Sequence, residues 1–272
     1  MQIIETNGAH IPALGLGTWQ LNGAVGMRIV EQGLRLGYRH LDAALIYGNE
    51  REVGEGLRAS GVKREDVFIT TKVPHTELAP PALERAVKQS LANLRVSDVN
   101  LLLIHWPNPQ IPLAETLGAM CKMKRDGYAR HIGVSNFTVA LVDEAVKLSS
   151  EPIATNQIEW HPYLDESKVK AACEKHGIAV TAYCPIARGR IGGDAVLGRI
   201  GKTYGKSAAQ VSLRWLVQQG AVVIPRTSKV ERLSENMAIF DFTLTPAEMA
   251  EIGQLAKAGG RVVSVGWAPR WD

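Results

Sequence analysis

With 272 residues, 46% of them hydrophobic and 21% charged, the chain has the balance of a folded globular protein with a sizeable core, which excludes intrinsic disorder. Its net charge of +4 arises from Lys and Arg scattered among acids, so no basic block marks a nucleic-acid surface and a small anionic ligand is the expected partner. The three cysteines (Cys121, Cys173, Cys184) form no C-x-x-C pair, and neither a secretory segment nor an apolar run of about 18 residues occurs, so the expectation is a soluble cytoplasmic protein with free thiols and no membrane span.

In chain order, Gln2-Ile-Ile-Glu-Thr and His10-Ile-Pro flank Asn7-Gly8, which predicts a β-hairpin with a type I′ turn. Eight short apolar or β-branched runs follow, beginning at Leu14, Tyr38, Val67, Val99, His131, Ala154, Ala179 and Ala221. Helical patterns separate them. In the one from Pro81 to Leu94, Leu83, Val87, Leu91 and Leu94 recur at three- and four-residue spacing, which predicts an amphipathic helix. After the last run, Ser228 to Asp241 and Thr245 to Ala258 are predicted helical, the second opened by Thr245-Pro246 with Glu248 as a capping box. The tail from Arg261 to Asp272 has no periodicity but carries Trp267 and Trp271.

This alternation predicts one α/β domain over 1–272, a (β/α)8 TIM barrel with the hairpin closing its floor and extra helices at its C-terminus. No G-x-G-x-x-G follows the first strand, which counts against an open dinucleotide-binding sheet.

Barrel active sites form at the C-terminal ends of strands, so polar residues that terminate apolar runs carry the functional signal. Asp42 ends the second run, Tyr47 follows in the next loop, Lys72 ends the third and His105 ends the fourth. An acid, an ammonium, an imidazole and a phenol at one rim form a proton-transfer set. A neighbouring ammonium stabilises phenolate, so Lys72 is expected to lower the pKa of Tyr47, and a buried Lys72 needs Asp42 as its partner.

Several segments are similar to the aldo-keto reductases: Gly15-Leu-Gly-Thr-Trp19, His40-Leu-Asp-Ala-Ala-Leu-Ile-Tyr-Gly-Asn-Glu50, Thr70-Thr-Lys72, Leu103-Ile-His-Trp-Pro107, Ile132-Gly-Val-Ser-Asn-Phe137, Thr155-Asn-Gln-Ile-Glu159 and Ile224-Pro-Arg-Thr-Ser228. The resemblance spans nearly the whole chain. Its length and closing Trp267-Ala-Pro-Arg-Trp-Asp272 resemble the bacterial 2,5-diketogluconate and methylglyoxal reductase types. The family implies NADPH-dependent reduction of small keto-sugars, α-dicarbonyls or aldehydes by a monomer.

By that resemblance, Asp42, Tyr47, Lys72 and His105 are catalytic, with Tyr47 the proton donor and His105 orienting the carbonyl. Trp19, Trp106, His105 and Trp267 would contact substrate. The resemblance also implies Gly17, Ser135, Asn136, Gln157, Tyr183, Pro185 and Ile186 for the cofactor, with the nicotinamide amide against Ser135, Asn136 and Gln157 and its ring on Tyr183. Arg226, Thr227 and Arg232 match the patch for the adenosine 2′-phosphate, and Glu235 and Asn236 the adenine contacts. No metal is implied. Two positions depart from the pattern: Cys184 stands where many relatives carry serine, and Arg226 where lysine is commoner.

Three other readings use the same residues. A Schiff-base aldolase would need Lys72 neutral, which Asp42 opposes. A metal-dependent hydrolase could recruit Asp42, His105 and His161, without the paired-histidine spacing that anchors a metal. A regulatory barrel that binds NADPH without turnover would leave the four catalytic candidates unexplained.

Overall fold

A computed structural model of the protein describes residues 2–272. Strands β1 (Ile3–Thr6) and β2 (Ala9–Pro12) pair antiparallel. Between them Asn7 and Gly8 take φ of 41° and 83°, the two left-handed residues that a type I′ turn requires.

Eight parallel strands follow, each hydrogen-bonded to the next in chain order: β3 (Leu16–Gly17), β4 (His40–Asp42), β5 (Phe68–Val73), β6 (Val99–Ile104), β7 (Ala129–Ser135), β8 (Ile153–Glu159), β9 (Ala179–Tyr183) and β10 (Val222–Val223). The ends of this sheet meet through a parallel bridge between Leu14 and Val223, and the Gly15 amide donates to the Val223 carbonyl at 2.8 Å. The sheet is therefore a closed barrel. A Cβ on Gly15 would lie 2.7 Å from His40 Nδ1, and one on Gly17 2.7 Å from the Ile224 carbonyl oxygen, so this seam closes only because both positions lack a side chain.

The helices are α1 (Gly23–Leu36), α2 (Glu50–Ser60), α3 (Pro80–Leu94), α4 (Leu113–Arg125), α5 (Val139–Leu148), α6 (Ser167–Lys175), α7 (Ala195–Tyr204), α8 (Ala208–Gln218), α9 (Glu231–Met237) and α10 (Pro246–Gly253). The predicted stripe of α3 is buried at Leu83, Val87, Leu91 and Leu94. Each such leucine stabilises the fold by roughly 1.5–3 kcal/mol relative to an exposed one. None of the described helices is long and apolar enough to cross a membrane.

Both C-terminal helices are shorter than their sequence patterns. The Thr227 hydroxyl accepts from the Lys229 amide in a local turn, so α9 begins only at Glu231. Helix α10 carries the predicted Thr245–Glu248 capping box, but ends at Gly253 before a left-handed Gly259 redirects the chain.

The barrel interior changes character along its axis. At the floor, Ala9 and Ile11 of the hairpin pack against Phe68, Leu101, Leu103, Ala154, Val222 and Ile224. Thr6 Oγ1 donates to the Ala154 and Gly177 carbonyls, and Asn7 Nδ2 to that of Ile153, which fastens the hairpin beneath β8 and β9. Side chains two residues apart on a strand share a face, so the stripes that begin with His40, Thr70, Leu101 and Thr155 carry Asp42, Lys72, His105 and Gln157 to the opposite end.

Candidate active site

Lys72 is fully buried, and its ammonium donates to Asp42 Oδ1 at 2.6 Å and to the Ala43 carbonyl at 2.8 Å. Burial lowers its pKa, while the Asp42 charge and hydrogen bond pull it back up. The same nitrogen lies 3.4 Å from Tyr47 Oη and 5.0 Å from the centre of the Tyr47 ring. A 3-10 turn from Leu45 to Tyr47, closed by left-handed Gly48, brings the phenol back to the strand ends. Neighbouring Asn49 holds that loop by donating to the Thr18 and Leu21 carbonyls.

The expected acidification of Tyr47 does not occur in this environment. Burial comes first, the Asp42 charge second and Cys184 third, and together they push its pKa well above the ordinary phenol range. That direction leaves Tyr47 protonated at neutral pH. His105 faces it edge-on, with ring centres 5.6 Å apart. Burial, followed by Lys72 and His75, holds this imidazole well below its usual value, so it is neutral.

A polar network continues from this group around the rim. Gln157 Nε2 donates to Asp42 Oδ2 at 2.8 Å, and Ser135 Oγ donates to the Gln157 carbonyl at 2.7 Å. Asn136, at a left-handed φ of 63°, donates to the His105 carbonyl and to Ser135 Oγ, and its Oδ1 accepts from Tyr183 Oη at 2.8 Å. Asp42, Tyr47, Lys72, His105, Ser135, Asn136, Gln157 and Tyr183 thus belong to one continuous cluster.

Beyond the barrel seam, Arg226 is exposed at its head, and its guanidinium donates to the Trp19 and Gln20 carbonyls, each at 3.2 Å. Gly17 sits in the seam beneath it. Thr227 is buried and Arg232 exposed at the start of α9. On the same helix Glu235 accepts from Ser207 at the cap of α8, Asn236 is buried, and the Leu233 carbonyl accepts from Tyr38 Oη. The segment after β9 runs through left-handed Cys184, Ala187 and Arg188, and Arg188 lies over the Trp19 ring at 5.0 Å. The Pro185 carbonyl there accepts from Ser212, and Ile186 is half-buried.

Trp106 is buried and meets Trp271 edge-on, whereas Trp267 is 46% exposed and stacks on His75 at 4.4 Å. Sequence reasoning missed what holds this tail. Buried Glu159 accepts from the Val262 and Val263 amides and pairs with buried His161. Arg261 pairs with Glu166 and lies 3.8 Å over Trp271, and the Asp272 side chain accepts from the Val139 amide at the start of α5. Only the place of Glu159 on the inward stripe of Gln157 could have signalled this clasp. His161 is therefore part of the tail clasp, and the described residues hold no group of three or more His, Cys, Asp or Glu placed to share an ion.

A closed parallel barrel with a lysine–carboxylate pair, a protonated phenol and a neutral imidazole at the C-terminal strand ends is the architecture of a barrel oxidoreductase that handles carbonyl groups. Residues 13–257 match the model of the aldo/keto reductase family, to which this chain belongs. The chain is 40% identical to methylglyoxal reductase DkgB of Escherichia coli O157:H7 over 265 residues, covering 96% of this chain and 99% of the relative. It is 39% identical to a 9,11-endoperoxide prostaglandin H2 reductase of Trypanosoma cruzi over 253 residues, covering 92% and 89%. A crystal structure of a candidate 2,5-diketo-D-gluconic acid reductase B, 49% identical, superposes with a TM-score of 0.98 over 100% of this chain and 98% of that one. The chain is thus an oxidoreductase, and its fold and family support carbonyl reduction.

Proposed function

We propose that this protein reduces small aldehydes and ketones to alcohols with NADPH, and that its substrates are α-dicarbonyls such as methylglyoxal or keto-sugars such as 2,5-diketogluconate. The single observation that carries this reading is the contact chain from Asp42 through Lys72 to Tyr47. The substrate class rests on the relatives with those names, and Trp19, Trp106 and Trp267 would contact the substrate.

The residues present suit such a cofactor. Gln157 Oε1 accepts from no donor among the described residues, which leaves an acceptor for an amide N–H at the rim. Ser135, Asn136 and Gln157 would hold the nicotinamide amide, with Tyr183 against its ring. Arg226 and Arg232 present guanidinium groups suited to a phosphate dianion, with Thr227 between them and Gly17 clearing the seam below. Pro185 and Ile186 would flank the pyrophosphate. Glu235 and Asn236 would meet adenine, Glu235 with the carboxylate oxygen not bonded to Ser207.

When bound, NADPH supplies the hydride. The chain supplies the proton and the orientation. Neutral His105 donates a ring N–H to the carbonyl oxygen, which places that oxygen beside Tyr47. As charge develops there, the Tyr47 proton moves to it, because alkoxide is a far stronger base than the ground-state carbonyl. The ammonium of Lys72 stabilises the phenolate that remains, and Asp42 keeps that ammonium charged in a buried place.

The test follows NADPH absorbance with methylglyoxal, 2,5-diketogluconate, an aromatic aldehyde and a simple ketone. Highest kcat/KM on the first two is expected. No consumption across the panel would overturn the reading, and a clear preference for the aromatic aldehyde would overturn the substrate class.

A further inference from the structure

Asp42 divides its two oxygens between two donors: Oδ1 takes the Lys72 ammonium at 2.6 Å, and Oδ2 takes the Gln157 amide nitrogen at 2.8 Å. The orientation of that amide follows from the chemistry of its partner. An ionised carboxylate has no proton to offer, so a reversed Gln157 would set two acceptors against each other in a buried site. Gln157 is 3% exposed and Asp42 1%, so no solvent replaces the contact. The side chains come from β8 and β4, on different sides of the barrel mouth, and their bond spans 115 residues of sequence.

We propose that Gln157 is a positioning residue for the proton transfer. Its amide nitrogen occupies Asp42 Oδ2 and aims the carboxylate at the Lys72 ammonium beside Tyr47, while its amide oxygen stays free for the carboxamide contact of the proposed function. The residue thereby joins the hydride side of the site to the proton side. The inference rests on the proposed function for its second half only, because the Gln157–Asp42 contact belongs to the protein itself.

Other titratable groups face the pair and have separate fates. Burial holds His40 at about 4, and His105 is likewise kept neutral. Glu50 is occupied by Thr71 and Asn93, and burial raises Cys184.

The experiment uses Gln157→Met, which keeps the length of the side chain and removes both polar atoms. In denaturant unfolding of the protein without cofactor, the substitution is expected to cost more in a Lys72→Met background, where Asp42 loses its last donor, than in the parent. Equal losses in the two backgrounds would overturn the proposal. In NADPH-driven reduction, Gln157→Met is expected to lower kcat for the carbonyl at least about 10-fold at saturating NADPH while the carbonyl KM changes less than about 3-fold, since it disturbs the groups beside Tyr47. An unchanged kcat would also overturn it.

If Gln157→Met does not fold, Gln157→Glu decides. Two facing carboxyl groups share one proton at low pH and repel without it, so activity is expected to fall at least about 10-fold more than the parent's between about pH 6 and pH 8. A profile parallel to the parent's would count against the proposal. Absence of NADPH turnover by the parent would instead defeat the functional reading, and the unfolding comparison would still report on Gln157 and Asp42.

Discussion

The Asp42–Lys72 rim and the arginine lip stand at the same end of the barrel but are built on opposite plans. At the rim, Asp42, Lys72, Gln157, Ser135 and Asn136 are buried and bonded to one another and to half-buried Tyr183. At the lip, Arg226 and Arg232 are exposed, and the Arg226 guanidinium is hydrogen-bonded to two carbonyls across the seam. In the proposed function the rim is preorganised for charge movement, so its polar groups would bear on folding and on chemistry together. The lip is free to bear on affinity alone.

Four substitutions can break or sharpen that contrast. Tyr47→Phe should lower kcat about 10³-fold while NADPH titrated by fluorescence binds with nearly parental affinity, because the phenol is a rim group outside the proposed cofactor contacts. Asp42→Ala should cost about 3–5 kcal/mol in urea unfolding, since it leaves the Lys72 ammonium buried without its carboxylate. A loss below about 1 kcal/mol would show that the rim is far looser than its hydrogen bonds imply.

Arg226→Ala should do the reverse, weakening NADPH about 10–100-fold and NADH little, with unfolding changed by less than about 0.5 kcal/mol. Equal losses for both cofactors would remove the phosphate role. Cys184→Ser, which restores a hydroxyl beside the proposed pyrophosphate track, should tighten NADPH only about 2–5-fold. Isothermal titration of the two proteins measures it.

The tail adds a pH-dependent element outside both regions. Burial raises Glu166 to about 7, against the opposing pull of Arg261. A carboxyl raised on folding contributes stability that is full below its unfolded value near 4.5 and is lost as pH rises through about 7. Over that window the parent should lose about 2 kcal/mol relative to Glu166→Gln in urea unfolding. A pH-independent difference would refute it.

Much of this was legible in the residues. Every barrel strand coincides with a predicted apolar run, and Asn7-Gly8 and Thr245-Pro246 carry local turn and cap chemistry that tertiary packing does not override. Asp42, Lys72 and His105 were visible as polar ends of apolar stripes. What escaped was long-range or a balance of energies. The Glu159 clasp depends on amides of an aperiodic tail, and the Gln157–Asp42 bond joins strands distant in sequence. For Tyr47 the residue types name its neighbours, but not how far the phenol is withdrawn from water, and that pushes its pKa up.

The hairpin beneath the barrel has a consequence for how the chain is made. Thr6 and Asn7 find their partners 146 to 171 residues later, and the seam at Leu14 waits for Val223. During synthesis β1 can pair with β2 and β3 with β4 early, but the hairpin's anchors and the seam lack their partners until β8, β9 and β10 are made. Closure of the cylinder should be a late, slow event, and C-terminally truncated products should be the ones that chaperones and proteases meet.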